Sequence, residues 1–360
     1  MILKLKIRDQ NSARVVRRRI KRSQISKIKA SHKRKKIPWN GRRSTERIAT
    51  PYAFNIGSLN NRRTFAKFLS KLRQCCLIYR QKVILDFSET APLTAPGMLL
   101  FVAELDRIKR ILGADFSVGI ENVRNRLVNQ VLKQIGIYAL CELANMNASD
   151  ANFDDEVRHW RYATGERANE RTNRAFENVE GRLSPELAKG MWKGVSEAVV
   201  NSVQHAYKEP RGVDGPRLGH SRWWMFSQEK DGQLTVAVCD LGIGIPRSLP
   251  MNWNPSILAR LFEGLSSKGP DARAILAALE VGTSSTQEAH RGKGLAQIWN
   301  TLRAEPSAKI AILSNRGQIS WDGRTKKEAA IEHDDSIFGT MIIWTVDIES
   351  GKHEEGKDRN

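Results

Sequence analysis

The chain has 360 residues, of which 40% are hydrophobic, and this content is typical of a soluble globular protein. A chain of this length has room for about two domains. No apolar stretch approaches the roughly 20 residues that a membrane-spanning helix needs. The N-terminus also lacks the continuous apolar core of a secretory signal. We therefore expect a cytoplasmic protein that does not enter a membrane.

The positive charge is concentrated at the N-terminus. The formal net charge is +20, and residues 1–50 hold 18 lysines and arginines against two acidic residues. The runs Arg17–Arg22 and Lys33–Lys36 show little apolar periodicity, which predicts a disordered basic arm. Such an arm can contact nucleic acid or another polyanion, dock on an acidic partner, or remain a solvated tail. The sequence leaves these alternatives open.

Residues 51–145 alternate between helical and strand patterns, as in a small α/β unit. Alternation of this kind implies that neighbouring strands are parallel. The patterns are a helix at 61–76, a strand at 82–87, a helix after Ala95-Pro96-Gly97, a strand at 115–120 and a helix at 127–132.

The segment from Val83 to Ser88, followed by Gly97, resembles the centre of a STAS domain, the fold of anti-sigma-factor antagonists. In that family a serine next to the glycine accepts phosphate from a partner kinase. Pro96 stands at that position here and has no hydroxyl, so the resemblance implies a docking or scaffolding role for this unit. Thr94 and Ser88 are nearby hydroxyls, and we do not expect either to be modified.

A polar, acid-rich segment at residues 145–155 predicts the join to a second unit, which covers residues 150–348. Ser184-Pro185 supplies a helix start in that unit. The polar tail, residues 349–360, is predicted to be disordered. Strand patterns occur at Val157–Tyr162, Arg222–Ser227, Leu234–Cys239, Lys309–Leu313, Gln318–Trp321 and Met341–Ile348.

The strand pattern at Leu234–Cys239 runs directly into Asp240-Leu-Gly242-Ile-Gly244. A strand that ends in a carboxylate and two spaced glycines favours a ligand pocket, because glycine lacks the Cβ that keeps a ligand away from the backbone. Upstream, Ser196–His205 is predicted to be one helix, and its four-residue spacing puts Glu197, Asn201 and His205 on one stripe. For His205 we favour a packed, hydrogen-bonded side chain over a ligand contact.

Two further segments lie downstream. Gly292-Lys293-Gly294 opens the apolar helical run Leu295–Leu302, so its backbone amides lie where a helix start attracts phosphate. Thr340 begins the last strand pattern. Between the motifs, residues 248–289 form a long segment that suits a mobile lid.

These four segments, in this order, resemble the boxes of the GHKL ATPases, which include gyrase, the large heat-shock chaperones, histidine kinases and MutL. The anti-sigma-factor serine kinases are the closest in pattern. The resemblance covers residues 150–348 and implies a two-layer α/β sandwich, the Bergerat fold, with a mixed sheet and helices on one face. The whole chain is then an α/β (α+β) protein that binds ATP and Mg²⁺.

The resemblance also implies a role for each motif residue. Asn201 would hold the Mg²⁺ that bridges the phosphates, and Glu197 would orient or deprotonate the attacking group. Asp240 would accept a hydrogen bond from the adenine amino group. Gly242 and Gly244 would let the backbone approach the nucleotide. Gly292 and Gly294 would present amides to the phosphates, and Lys293 or Arg291 would add positive charge. Thr340 would add a hydrogen bond at the adenine end.

The sequence thus predicts an ATP-binding regulatory protein that hydrolyses ATP or phosphorylates a protein serine or threonine, and it leaves the two open. The STAS-like unit would be a partner-binding module. Because it lies in the same chain as the ATP-binding unit, each would be present at a high effective concentration for the other. A histidine kinase is disfavoured, because no helical segment before Glu197 carries a histidine in a dimerisation hairpin. The alternative is a nucleotide-gated nucleic-acid-binding protein that uses residues 1–50. A homodimer also stays open.

Overall fold

The computed structural model describes residues 44–143, 160–167, 183–211, 221–283 and 293–348. All of these belong to one compact unit. Its N-terminal part contains a parallel sheet in the order β1 (Thr45–Ala49), β2 (Lys82–Asp86) and β3 (Val118–Glu121). The predicted parallel α/β unit is therefore confirmed. Strand β1 lies inside residues 1–50, the range predicted to be a disordered arm, so the folded part begins before the predicted boundary.

Three of the four helices in this part begin at capping side chains. They are α1 (Leu59–Arg73), which continues as a π-helical turn at Gln74–Ile78, α2 (Ala95–Leu112), α3 (Arg126–Gln134) and α4 (Ile137–Leu140). Ser58, Thr94 and Asn125 each accept a hydrogen bond from a backbone N–H in the first turn of the helix that follows. These caps satisfy amides that have no partner inside the helix.

Helix α2 is buried around most of its circumference, because it packs against two sheets. On one side Phe101 contacts Phe54 and Phe87 in the core of the parallel sheet, with ring centroids 5.3 Å and 6.4 Å away. On the other side α2 packs against strands of the C-terminal part. Glu104, Asp106 and Arg107 are nevertheless buried on this helix. Buried charges of this kind need partners, which are described below.

The C-terminal part is built on a seven-stranded sheet in the order β4-β5-β6-β10-β7-β8-β9. The strands are β4 (Trp160–Gly165), β5 (Trp223–Lys230), β6 (Gln233–Asp240), β7 (Lys309–Ser314), β8 (Gly317–Asp322), β9 (Lys327–Glu332) and β10 (Thr340–Asp347). Every neighbouring pair is antiparallel, so the predicted mixed sheet is wrong. The short turns between β5 and β6 and between β7 and β8 account for two of these pairs, because a tight hairpin joins only antiparallel strands. Strand β9 was not predicted.

Both faces of the antiparallel sheet are covered. Trp223 and Met225 belong to a core with the C-terminal helices, whereas Trp224 and Phe226 point to the opposite face and share a core with α2. Helix α2 therefore forms a second helical layer on that face. The prediction of two layers, with helices on one face of the sheet, missed it. The C-terminal helices are α5 (Pro185–Asn201), α6 (Ile245–Asn252), α7 (Pro255–Gly264), α8 (Pro270–Thr283) and α9 (Lys293–Ala304).

The segment predicted as a lid, residues 248–289, carries the end of α6 and all of α7 and α8 in its described part. The predicted join at residues 145–155 and the tail at residues 349–360 lie outside the described residues. Among the described helices, none combines the length and the apolar character that crossing a bilayer requires.

The four cysteines are buried and none forms a disulfide. Burial raises the pKa of both Cys76 and Cys141 to about 12. The thiols are therefore protonated at neutral pH and act as small apolar groups in the core.

Candidate functional site

A cavity of about 110 Å³ opens between α5, α6, α8 and the strands β6 and β10. Five of the residues singled out in the sequence line it: Asn201, His205, Asp240, Gly244 and Thr340. Much of the remaining wall is apolar and includes Val238, Leu249, Val281, Leu295 and Ile342. The cavity therefore joins a few polar groups to an apolar lining, which is the usual composition of a small-molecule site.

Asp240 is the buried carboxyl group of this cavity, with 7% of its surface exposed. It ends β6, where its backbone pairs with Thr340 of β10 and Trp223 of β5. Its Oδ1 accepts the Gly242 N–H at 2.9 Å, and its Oδ2 accepts the Ser202 hydroxyl at 3.5 Å. The side chain is thus fixed between a strand end and a helix turn.

Burial raises the pKa of Asp240 to about 6, although hydrogen bonds from the Gly242 and Thr340 amides and from Ser202 lower it. Arg211 also lowers this pKa through its charge. A carboxyl group that titrates near neutrality in a cavity is a feature of functional sites. At pH 7 and above the ionised form dominates, and it can accept a hydrogen bond from a ligand.

Asn201 lies at the last α-helical position of α5. Ser184 caps this helix by accepting the Leu187 N–H at 3.3 Å, and Pro185 occupies its first turn. The single helix predicted through His205 instead changes to a π-helical turn at Ser202–Ala206. Asn201 and His205 both line the cavity.

The π-helical turn brings Ser202 to Asp240. The single Ser202 O–H lies 2.9 Å from the Ala198 carbonyl as well as 3.5 Å from Asp240 Oδ2, so it donates to one of them at a time, and Ser202 is 3% exposed. Sequence reasoning did not single out Ser202, and its only signal was its position directly after Asn201.

Glu197 contacts the other predicted motif, the start of α9. A Cβ placed on Gly294 would lie 2.7 Å from Glu197 Cδ, so the glycine makes room for this carboxyl group. The carboxylate therefore lies at the N-terminal end of a helix, where the helix dipole favours negative charge. Glu197 is one turn before Asn201 on α5 but does not line the 110 Å³ cavity. The structure thus brings Glu197 together with Gly294, beside the residues that surround Asp240.

Glycine is required at the two positions after Asp240, 242 and 244, for different structural reasons. A Cβ on Gly242 would collide with the backbone carbonyl of Ala206, and the neighbouring Ile243 N–H donates to that carbonyl at 2.8 Å. Gly242 is thus explained by backbone packing against the π-helical turn, and it does not line the cavity. Gly244 does line it, has a φ of +76° and would place a Cβ 2.6 Å from Asn315 Nδ2.

Thr340 belongs to a hydroxyl network at the strand ends. Its Oγ1 lies 3.1 Å from Ser314 Oγ, which also accepts the Ile245 N–H at 2.8 Å. Asn315 Nδ2 donates to the Ile243 carbonyl at 3.0 Å. Ser314 and Asn315 therefore hold the loop after Asp240 in place. Sequence reasoning missed both, because only strand pairing brings β7 next to β10.

Part of the predicted phosphate loop lies outside the described residues. Arg291 and Gly292 are among them, and for Lys293 only the backbone at the start of α9 is described. Gly294 is buried in the first turn of that helix. The predicted helix after this loop is present.

The polar and apolar groups that line the cavity indicate which kind of ligand it can hold. One buried carboxylate at the strand end and an apolar lining suit a flat, partly polar ring. Within the described part of the chain, no group of three or more His, Cys, Asp and Glu side chains could hold a metal ion. A divalent cation would therefore depend on the Asn201 amide oxygen and on oxygens brought by the ligand. This pattern is usual for Mg²⁺ bound with phosphates.

A buried ionic cluster connects the two sheets close to this site. The Glu104 carboxylate of α2 accepts hydrogen bonds from Arg73 of α1, at 3.1 Å, and from Arg211, which follows the π-helical turn. Burial opposes ionisation of Glu104, but Arg211 and Arg73 hold its pKa at about 2. A second carboxylate, Asp106, accepts a hydrogen bond from Trp224 Nε1 at 3.0 Å and forms an ion pair with Arg222, whose Nε lies 2.7 Å from Asp106 Oδ2.

The hydroxyls near the STAS-like motif have structural partners. Thr94 Oγ1 donates to the Phe54 carbonyl at 2.8 Å and accepts the Gly97 N–H at 3.3 Å. The Ser88 N–H donates to Asp86 Oδ1 at 3.0 Å. A Cβ on Gly97 would lie 2.5 Å from the Phe54 carbonyl carbon. Gly97 and Thr94 are therefore explained by the start of α2 and its contact with residue 54.

Comparison of this chain with protein-family models, with curated proteins and with solved structures finds no match.

Proposed function

We propose that this chain is an adenine-nucleotide-binding regulatory protein of the GHKL type, closest to the anti-sigma-factor serine kinases, preceded by a STAS-like unit. The observation that carries the proposal is the shared cavity of Asn201, Asp240, Gly244 and Thr340. These residues come from segments far apart in the chain. Their order and types were the basis of the resemblance, and their convergence on one cavity supports it.

Each residue has a task in this proposal. Asp240 accepts a hydrogen bond from the adenine amino group, and Thr340 supports the same end of the cavity. Asn201 offers its amide oxygen to Mg²⁺, which supplies charge neutralisation on the phosphates when bound. Glu197, beside Gly294, orients or deprotonates the hydroxyl of water or of a protein side chain. The amides at the start of α9 face the phosphates.

The STAS-like unit recruits a protein partner in this proposal. Helix α2 is not available to a partner, because it packs against β5 and β6. A partner would therefore use surfaces that this packing leaves exposed. Tyr52 and Leu59 are 65% and 68% exposed, and Ile78 and Tyr79 are 47% and 53% exposed.

The proposal is tested by titrating fluorescent ATP and Mg²⁺ into the full chain and into Asn201→Ala and Asp240→Asn. We expect both variants to bind at least tenfold more weakly, because each loses a polar contact in an enclosed site. Asn60→Ala is the matched control, since Asn60 is exposed on α1. Equal affinity in the wild type and both site variants would contradict the proposal.

The fate of the γ-phosphate separates the enzymatic alternatives. Release of inorganic phosphate that is lost in Glu197→Gln indicates an ATPase, and label on a protein serine or threonine indicates a kinase. ATP binding with neither product indicates a switch that acts through binding alone.

A second candidate function is a nucleotide-gated nucleic-acid-binding protein, which the 18 basic residues within residues 1–50 favour. The test is deletion of the basic arm, and because β1 begins at Thr45, the deletion covers residues 1–43. We expect the deletion to weaken DNA or RNA binding and to flatten its salt dependence if the arm neutralises phosphates. Unchanged affinity would exclude this function.

A further inference from the structure

A second cavity, of about 470 Å³, lies between α1 and the loops of the antiparallel sheet. We call it the basic cleft. Gly242 and Ile243 line it, whereas Gly244 lines the cavity of Asp240, so one short loop separates the two spaces. Five basic side chains line the basic cleft: Lys67, Arg73, Arg211, Arg247 and Arg316.

Two of these cations are fixed in the wall of the basic cleft. The side chains of Arg73 and Arg211 are 7% and 4% exposed. Both donate to the one carboxylate of Glu104, and both guanidinium groups lie over the Phe338 ring, at 5.0 Å and 5.3 Å from its centroid. Two guanidinium groups thus converge on one carboxylate in this wall.

Two other cations lie at the mouth of the basic cleft. Lys67 and Arg316 are exposed, and neither side chain forms an ion pair with any described residue. Arg247 is partly neutralised, because it pairs with Glu209 at 2.9 Å. The mouth therefore offers side-chain charges that a ligand can reach.

The acidic residues of the basic cleft are largely engaged. Asp271 Oδ2 accepts the Arg316 backbone N–H at 3.0 Å. Asp334 pairs with Arg63 at 3.6 Å. Asp335, the remaining acidic residue in the lining, interacts electrostatically with Arg62. Asp334 and Asp335 thus face arginines that do not line the basic cleft, whereas Asp271 keeps its negative charge inside the lining.

We propose that the basic cleft binds a small molecule that carries phosphate groups, at a site separate from the cavity of Asp240. Guanidinium groups bind phosphate oxygens through two parallel hydrogen bonds, and a lysine adds a point charge. The cleft has the volume of a small-molecule site. Its occupant would touch the Gly242–Ile243 backbone, on the side of the loop away from the cavity of Asp240.

The test is calorimetric titration of the full chain with inorganic pyrophosphate at low ionic strength. We expect Lys67→Gln/Arg316→Gln to bind at least tenfold more weakly, because two charge-assisted contacts are lost. The control Lys82→Gln/Arg124→Gln removes two exposed charges elsewhere and should bind within twofold of the wild type. Asn201→Ala, which alters the other cavity, should keep its pyrophosphate affinity.

Three outcomes would overturn the proposal: no pyrophosphate binding, equal affinity in Lys67→Gln/Arg316→Gln, or a loss confined to Asn201→Ala. Thermal unfolding of each variant shows that a loss of affinity is not a loss of folding. A phosphoserine peptide and its unphosphorylated form are titrated in parallel. Binding of the phosphopeptide alone would assign the basic cleft to a phosphorylated protein segment instead of a small molecule.

Discussion

Asp240 links the electrostatics of the site to the pH at which a ligand binds. Burial raises its pKa to about 6, so the carboxyl group is ionised above this pH and protonated below it. An adenine amino group needs an acceptor, and protonation weakens the acceptor. We therefore expect ATP affinity to be constant above pH 7 and to fall about tenfold between pH 7 and pH 5.

The matched measurement uses Asp240→Asn over the same pH range. The phosphates of ATP titrate in both proteins, so only the difference between the two profiles reports on Asp240. Asp240→Asn should bind more weakly at pH 7 and show a flatter profile. Parallel profiles for the two proteins would show that Asp240 does not contact the nucleotide.

Glu104 links the stability of the fold to pH. Its folded pKa of about 2 lies below the reference value of 4.5, because Arg211 and Arg73 outweigh the cost of burial. The corresponding stability is present above pH 4.5 and is lost as the pH falls toward 2. We expect Glu104→Gln to lower the free energy of unfolding at pH 7 by about 3–5 kcal/mol, since two guanidinium groups lose their shared carboxylate.

Denaturant unfolding at pH 7 and pH 3 measures this effect. The difference between the wild type and Glu104→Gln should shrink at the lower pH. Glu142→Gln is the control, because the Glu142 side chain is 76% exposed and its pair with Lys109 lies at the surface. A Glu104→Gln variant as stable as the wild type would contradict the account of the buried cluster.

At the scale of elements, the loop after β6 packs against the π-helical turn through Gly242. A Cβ there meets the Ala206 backbone, which cannot move without displacing Ser202 and Asn201. We expect Gly242→Ala to lower the free energy of unfolding by about 1–3 kcal/mol, as overpacking does elsewhere. It should also weaken nucleotide binding through the shifted turn.

Gly264→Ala is the matched control for Gly242→Ala. Gly264 ends α7, and nothing lies within 4 Å of a Cβ placed on it. Alanine at a helical position restricts the unfolded chain, so this change should raise stability by up to about 1 kcal/mol. Equal effects of the two substitutions on stability would show that the close approach of Ala206 does not matter.

The sequence predicted most of the helices and strands that are marked by a pattern within their own residues. The buried strands β2 and β6 and the amphipathic helices α1 and α5 have clear periodicity, and capping residues mark where helices begin. Strand β9 was missed because Lys327–Glu332 exposes most of its side chains and shows no apolar alternation. Strand β1 was missed because it directly follows a strongly basic stretch.

The candidate site was predictable only in part. Asn201, Asp240, Gly244 and Thr340 stood out because each lies at a strand end, a helix stripe or a glycine turn. Ser314 and Asn315 did not, because their relevance comes from the pairing of β7 with β10, which no local pattern specifies. The second helical layer was missed for the same reason, since the sequence does not show which sheet face α2 covers.

At the scale of the whole molecule, α2 makes the two parts of the chain interdependent. It contributes Phe101 to the core of the parallel sheet, and Glu104 and Asp106 to the contact with the antiparallel sheet. If the N-terminal part unfolded alone, Trp224 and Phe226 would be exposed to water and the buried cluster would be broken. We therefore expect residues 44–348 to unfold as one cooperative unit.

Native-state hydrogen exchange in increasing denaturant measures this cooperativity. The amides of β2 and β6 should reach the same free energy of opening with the same denaturant dependence, because both strands belong to cores that α2 completes. In Glu104→Gln the two strands should lose protection together. Exchange of β2 through a smaller opening, with β6 still protected, would show that the N-terminal part folds and unfolds independently. The N-terminal part would then be a detachable module instead of an integral layer against the antiparallel sheet.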